Sequence, residues 1–148
     1  MSGFDVSEIA DVIQEVIDDR NEEVEYCVFT VTTQPNKVAF ETKGKGGLEE
    51  VKANLREDAL QFAYYRTISG DEESRRVKFV FISWAGDRIT KPKLRAVMSI
   101  LKGDVKTIIN NFHIELHATA LDDLDEEEIA TKIIKAGGAN YSFNTSSS

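Results

Sequence analysis

The sequence predicts an α/β fold of the α+β type, a central mixed five-stranded sheet sandwiched between helices on both faces. Three observations predict it. The hydropathy pattern runs α-β-β-α-β-β-α-β-α along 148 residues, a length that suits one domain with one core. The stretch VKFVFISW (77–84) is apolar on both parities, as a strand covered on both faces is. A helix-length segment separates that strand from the last one, and such a crossover lets the two lie parallel.

Each element has its own local signal. Over residues 5–20, Val6, Ile9, Ala10, Ile13, Val16 and Ile17 recur at helical spacing. Asp5 stands where an N-cap would, with Glu8 three residues on and Phe4 placed to staple onto Ile9. VEYCVFTV (24–31) is rich in β-formers, TQPN (33–36) turns the chain, and KVAFET (37–42) returns as a second strand. After the KGKGG loop (43–47), Leu48, Val51 and Leu55 share one side of a short helix at 48–57. ALQFAYYRTI (59–68) is a third strand, SGDEES (69–74) a turn, and RRVKFVFISW (75–84) a fourth strand.

A long helix is predicted from Pro92 to Asn110, with Pro92 suited to its first turn. HIELHA (113–118) is a short last strand. DEEEIATKIIK (125–135) is a closing helix, with acids in its first turn and Lys132 and Lys135 in its last, as the helix dipole favours. Gly137 and Gly138 are expected to stop it. Residues 1–136 therefore read as a single domain, and 137–148 as a flexible polar tail.

Composition excludes several classes. Hydrophobic content of 41% and charged content of 30% are those of a globular domain. No apolar run approaches the ~20 residues that span a bilayer. The start, MSGFDVSEIADVIQE, carries early acids and no basic segment, unlike a signal peptide. A cytoplasmic protein without a membrane partner is expected. The one cysteine, Cys27 in YCVFTV, has no basic neighbour in sequence and reads as a buried structural thiol.

No catalytic apparatus is visible. GKGG (44–47) lacks the GK[ST] of a phosphate-binding loop. His113 and His117 are four apart, but in a strand-like segment without a third ligand. The acids at 122–128 read as a solvated helix start. Nothing resembles an activated Ser, Cys or Lys. The sequence thus predicts a protein that is not an enzyme and uses no cofactor and no metal.

The charge is where the sequence speaks most. Formal net charge is −8, yet residues 75–106 hold nine Lys/Arg against two Asp/Glu, a net of +7. The rest holds nine against twenty-four, a net of −15. Such asymmetry concerns a partner's field more than the fold. On the long helix, at 100° per residue, Lys91, Arg95, Lys102 and Lys106 form a stripe within about 60°. The stripe lies beside the core-facing arc of Leu94, Val97, Leu101, Val105, Ile108 and Phe112. Lys93 and Ile100 project on the far side. On the fourth strand, Arg76 and Lys78 share one face and Arg75 takes the other. Lys78 abuts the apolar run, so its stem should pack and its ammonium be held in place.

Three stretches carry a resemblance: TISGDEESRRVKFVFISWAGD (67–87), TIINNFHIEL (107–116) and IIKAGGANY (133–141). With them, essentially the whole chain resembles the coactosin group of the ADF/cofilin-homology (ADF-H) family of actin-binding domains. The resemblance implies an ADF-H/gelsolin-like fold. It also implies binding along the side of actin filaments in a non-severing, stabilising or protecting role that regulates the actin cytoskeleton. The lysine of the motif KF[AV]xI[ST]W is the family's principal filament residue, and here it is Lys78. Arg75 and Arg76 match the basic residues before it. The family's long helix inserts between actin subdomains, a role that passes to Lys91, Lys93, Arg95, Lys102 and Lys106. The resemblance departs at MSILKGD (98–104), which is more apolar here and leaves monomeric actin open as a second partner. The expected protein is a monomer in the actin-rich cortex.

A second reading is a nucleic-acid-binding domain using the basic helix 91–106. The −15 carried elsewhere would repel phosphate, and the helix lacks interleaved stacking aromatics. Nucleic acid is therefore not the expected partner.

Overall fold

The computed structural model describes residues 3–69 and 76–146, with side chains through Ala136. Strands β1 (Tyr26–Thr32), β2 (Lys37–Gly44), β3 (Leu60–Ser69), β4 (Arg76–Ala85) and β5 (Ile114–Ala118) form one sheet in the order β2-β1-β3-β4-β5. Neighbours pair antiparallel except β4 and β5, which are parallel. The helices are α1 (Ala10–Ile17), α2 (Gly47–Ala53), α3 (Pro92–Lys106) and α4 (Glu126–Ser146). The mixed sheet with helices and the parallel crossover are as the sequence predicts.

Strand alternation divides the core in two. On one face Phe79, Phe81 and Ala85 meet Ile13 and Val16 of α1 and Met98, Leu101 and Val105 of α3. On the other, Val80, Ile82 and Trp84 meet Leu48 and Val51 of α2 and Ile129 and Ile133 of α4. Cover on both faces is why β4 is apolar on both parities. Cys27 belongs to the first core and is fully buried, and burial pushes its thiol pKa far up.

Several element boundaries differ from expectation: α1 ends at Ile17 and α2 at Ala53, short of the expected 20 and 57, and three others have a visible cause. Asp5 does not cap α1. Its N–H donates to the Asn36 carbonyl (3.0 Å) and its carbonyl accepts from Val38 N–H (2.8 Å). With its backbone committed to strand-like pairing, the helix starts only at Ala10. Asp5 instead accepts the Ser7 N–H at 2.8 Å, closing a turn. At the end of α3, Thr107 and Ile108 donate to carbonyls three residues back. The coil tightens there, and the helix ends at Lys106 rather than Asn110. The α4 backbone runs on past Gly137 and Gly138 to Ser146. A glycine inside a helix costs only about 1 kcal/mol relative to alanine and does not by itself stop one.

Candidate functional site

The +7 block folds around β4 and α3, and its cations meet two fates. At the start of β4, burial rises along the strand: Arg76 is exposed, Val77 and Lys78 half-buried, and Phe79 to Ala85 buried. Alternation puts Arg76 and Lys78 in one row with Val80, Ile82 and Trp84, on the face covered by α2 and α4. Lys78 lies opposite Thr67 of β3, and Arg76 opposite Ser69. Neither cation has an ion pair among the described residues. The Lys78 stem rests on a rigid ladder, and its ammonium meets no carboxylate within ion-pair distance among the described residues. Thr67 and Ser69 also line a groove of about 530 Å³ floored by Tyr65, Ile129 and Ile133, with Ile68 and Ile134 exposed at its rim. Glu49, Glu126 and Glu127 line the same groove, so the strand carrying the cations borders a surface of mixed apolar and acidic character. Arg75 and the expected turn that precedes it lie outside the described residues.

A second group sits at the other end of β4. Beyond Ala85 the chain turns through Gly86, where a Cβ would collide with the Glu57 carbonyl, so only glycine fits. The turn is tied by Gly86 N–H to the Ala59 carbonyl (3.0 Å) and Arg88 N–H to the Glu57 carbonyl (2.9 Å). Arg88, Lys91 and Lys93 follow, all exposed and without ion pairs among the described residues. Lys91 occupies the N-cap position of α3 and Pro92 its first turn.

The remaining cations of the helix are engaged within the molecule. Arg95 donates through Nε to the Ile89 carbonyl (2.8 Å) and through Nη2 to the Gly86 carbonyl (3.4 Å). Lys106 donates to Glu115 Oε1 at 2.7 Å, and Lys102 lies 3.6 Å from Glu115 Oε2. The Lys106 ammonium also stands 5.7 Å from the Phe112 ring centroid, and that ring packs on Phe81. The stripe that the helical wheel places along the rim of the buried face is thus the side that reaches neighbouring elements. A long side chain at that rim meets the loop and the β5 edge before it meets solvent. Ile100 is 57% exposed on the outer side, as the wheel indicates. Met98 and Ile109, on the border of the arc, are buried.

The sequence-predicted residues therefore do not form one patch. At roughly 3.3 Å per residue, the ten residues of β4 separate its ends by about 30 Å. Arg76 and Lys78 mark one end, and Arg88, Lys91 and Lys93 the other. Arg88, absent from the sequence-derived set, joins the second group. Its signal was its place inside the positive block. Glu115 was also missed. Its signal was two lysines four apart on a helix flank with no acid of their own to pair with.

The edge strand has its own polar row. His113 N–H donates to the Phe79 carbonyl at 2.8 Å, and Phe79 N–H donates back to His113 Nδ1 at 3.0 Å. The imidazole stacks on Phe79, which stacks on Tyr64. Burial, and then the Lys78 ammonium, hold His113 below the ordinary histidine pKa. Burial, then Lys102 and Arg95, do the same for His117.

Comparison with known proteins identifies the fold and the family. The sequence profile of the family described as cofilin/tropomyosin-type actin-binding protein matches residues 3–134. The coactosin of Entamoeba histolytica is 79% identical over 147 residues, covering 99% of each chain. A crystal structure of coactosin from Entamoeba histolytica superposes with a TM-score of 0.91 at 76% identity, over 93% of this chain and 99% of that one. A solution structure of mouse coactosin, described as an actin filament binding protein, superposes with a TM-score of 0.72 at 25% identity, over 97% and 99%.

Proposed function

This chain belongs to the cofilin/tropomyosin-type actin-binding protein family, and from that premise we propose that it binds the side of actin filaments and stabilises them without severing. The observation that carries the reading is the pair of cation groups at the two ends of β4, which have no ion pair among the described residues. Arg76 and Lys78, extended by Arg75 just before them, form one contact, and Lys91 and Lys93 with Arg88 the other. Groups placed at and beyond the two ends of a strand about 30 Å long fit a surface that presents acidic sites at intervals, as a polymer of acidic subunits does. The −15 carried by the rest of the chain orients the approach by repulsion. Arg95 then serves to hold the loop that presents the second group.

The similarity to mouse coactosin, a filament binder by its description, supports the same reading. The nucleic-acid reading is less favoured, because three cations of the helix 91–106 are engaged by Glu115 and by backbone carbonyls.

Co-sedimentation with filamentous actin tests the proposal, with monomeric actin compared in parallel. Pelleting at low salt that weakens as salt rises is expected, together with slower loss of filament on dilution and unchanged filament length distribution. A chain that stays in the supernatant at low salt, or that shortens filaments, contradicts it.

A further inference from the structure

Glu115 stands on the edge strand opposite Phe81, so its side chain points to the face that carries α3. There it takes both lysines of the helix's C-terminal half, Lys106 at 2.7 Å and Lys102 at 3.6 Å. Its side chain and those of the two lysines are all about one-quarter to two-fifths exposed, which makes a half-sheltered cluster rather than a solvated pair. One carboxylate shared by two ammonium groups restrains both. The Phe112 ring restrains Lys106 further.

We propose that Glu115 is a specificity-determining residue: it withdraws Lys102 and Lys106 from the binding surface and confines the acidic partner's contact on α3 to Lys91 and Lys93. This rests on the actin reading for the identity of the partner, though not for the action of Glu115 on the lysines. A helix whose whole flank were open would present cations along about 20 Å, at 1.5 Å per residue. Such a stripe attracts any polyanion. Closing half of it leaves a short basic end beside an acidic body, which suits a partner that also meets Arg76 and Lys78.

The test has two arms. In the first, binding to heparin oligosaccharide is followed against salt for the wild type, Glu115→Gln and a control, Glu128→Gln, which removes an exposed carboxylate with no ion pair among the described residues. Glu115→Gln should steepen the salt dependence of log Kd by about one to two beyond the control, one per lysine released. Adding Lys102→Ala and Lys106→Ala to that variant should abolish the increment. In the second arm, filament pelleting is measured in the native background. Lys102→Ala/Lys106→Ala should change affinity less than about twofold, whereas Lys91→Ala/Lys93→Ala should weaken it more than about fivefold. Equal losses from the two double variants, or Glu115→Gln behaving as the control does, would overturn the assignment. If the wild type does not pellet with filaments, the actin reading falls and the heparin arm alone decides the role of Glu115.

Discussion

Arg95 reaches back along the chain to Ile89, its Nε donating to that carbonyl at 2.8 Å. A cation on the basic flank of α3 thus closes the loop that starts the helix, with Gly86 as its second acceptor. Hydrogen bonds from a charged, half-buried group contribute about 1.5–3 kcal/mol each. Arg95→Ala should therefore lower unfolding free energy by about 2 kcal/mol in urea titration. Arg95→Lys should recover only part of this, because a point ammonium does not reproduce the fork of the guanidinium.

Lys78 should behave in the opposite way. Its stem lies on β4 and its ammonium has no acidic partner among the described residues. Lys78→Ala is expected to weaken filament pelleting about tenfold, equivalent to about 1.4 kcal/mol. The unfolding free energy should move by no more than about 0.5 kcal/mol. Loss of folding with retained binding per folded molecule would show that the residue serves the sheet instead.

Acid should loosen the β5 edge before it affects the carboxylates. His113 and His117 are both held below the ordinary value of 6.5. The unfolded chain takes up protons that the folded one refuses, so stability falls as pH falls. The contribution is full above about pH 6.5 and is lost as pH drops from there toward the depressed folded values. Urea midpoints measured between about pH 7.5 and 5.5 should fall, and His113→Gln should shrink the difference. A midpoint independent of pH over that range would contradict it.

Cys27 should be silent in the native protein. It is fully buried in the core under α1, and burial keeps its thiol protonated. A thiol reagent should react on the timescale of unfolding and at once in denaturant. Rapid native labelling would mean that β1 opens locally.

The sheet was legible in the sequence because its signals are local. The apolar parity of VKFVFISW, the turn residues between strands and the length of the crossover each depend on neighbours in the chain. Asp5 shows where that ends. Its fit to a capping position is real, but pairing with a strand thirty residues away outweighed it. The candidate site was legible as a list of cations and not as an arrangement. A helical wheel gives the angle of Lys102 and Lys106 but not what stands across from them. Glu115 arrives from the next strand, and only the parallel pairing of β5 with β4 brings it there. Lys78 was readable because a strand's alternation fixes its face without any tertiary information.

The separation of the two cation groups along β4 has a consequence for binding energetics. If both groups meet acidic sites of the partner, engaging either would hold the other near its target through β4 and the turn after it, at a high effective concentration. Two individually weak contacts would then add up to a durable attachment on a lattice whose spacing matches. On a lone target that offers only one acidic site, the same chain would keep only the affinity of a single contact. The length of β4 would in this way act as a gauge, measuring whether the partner is assembled.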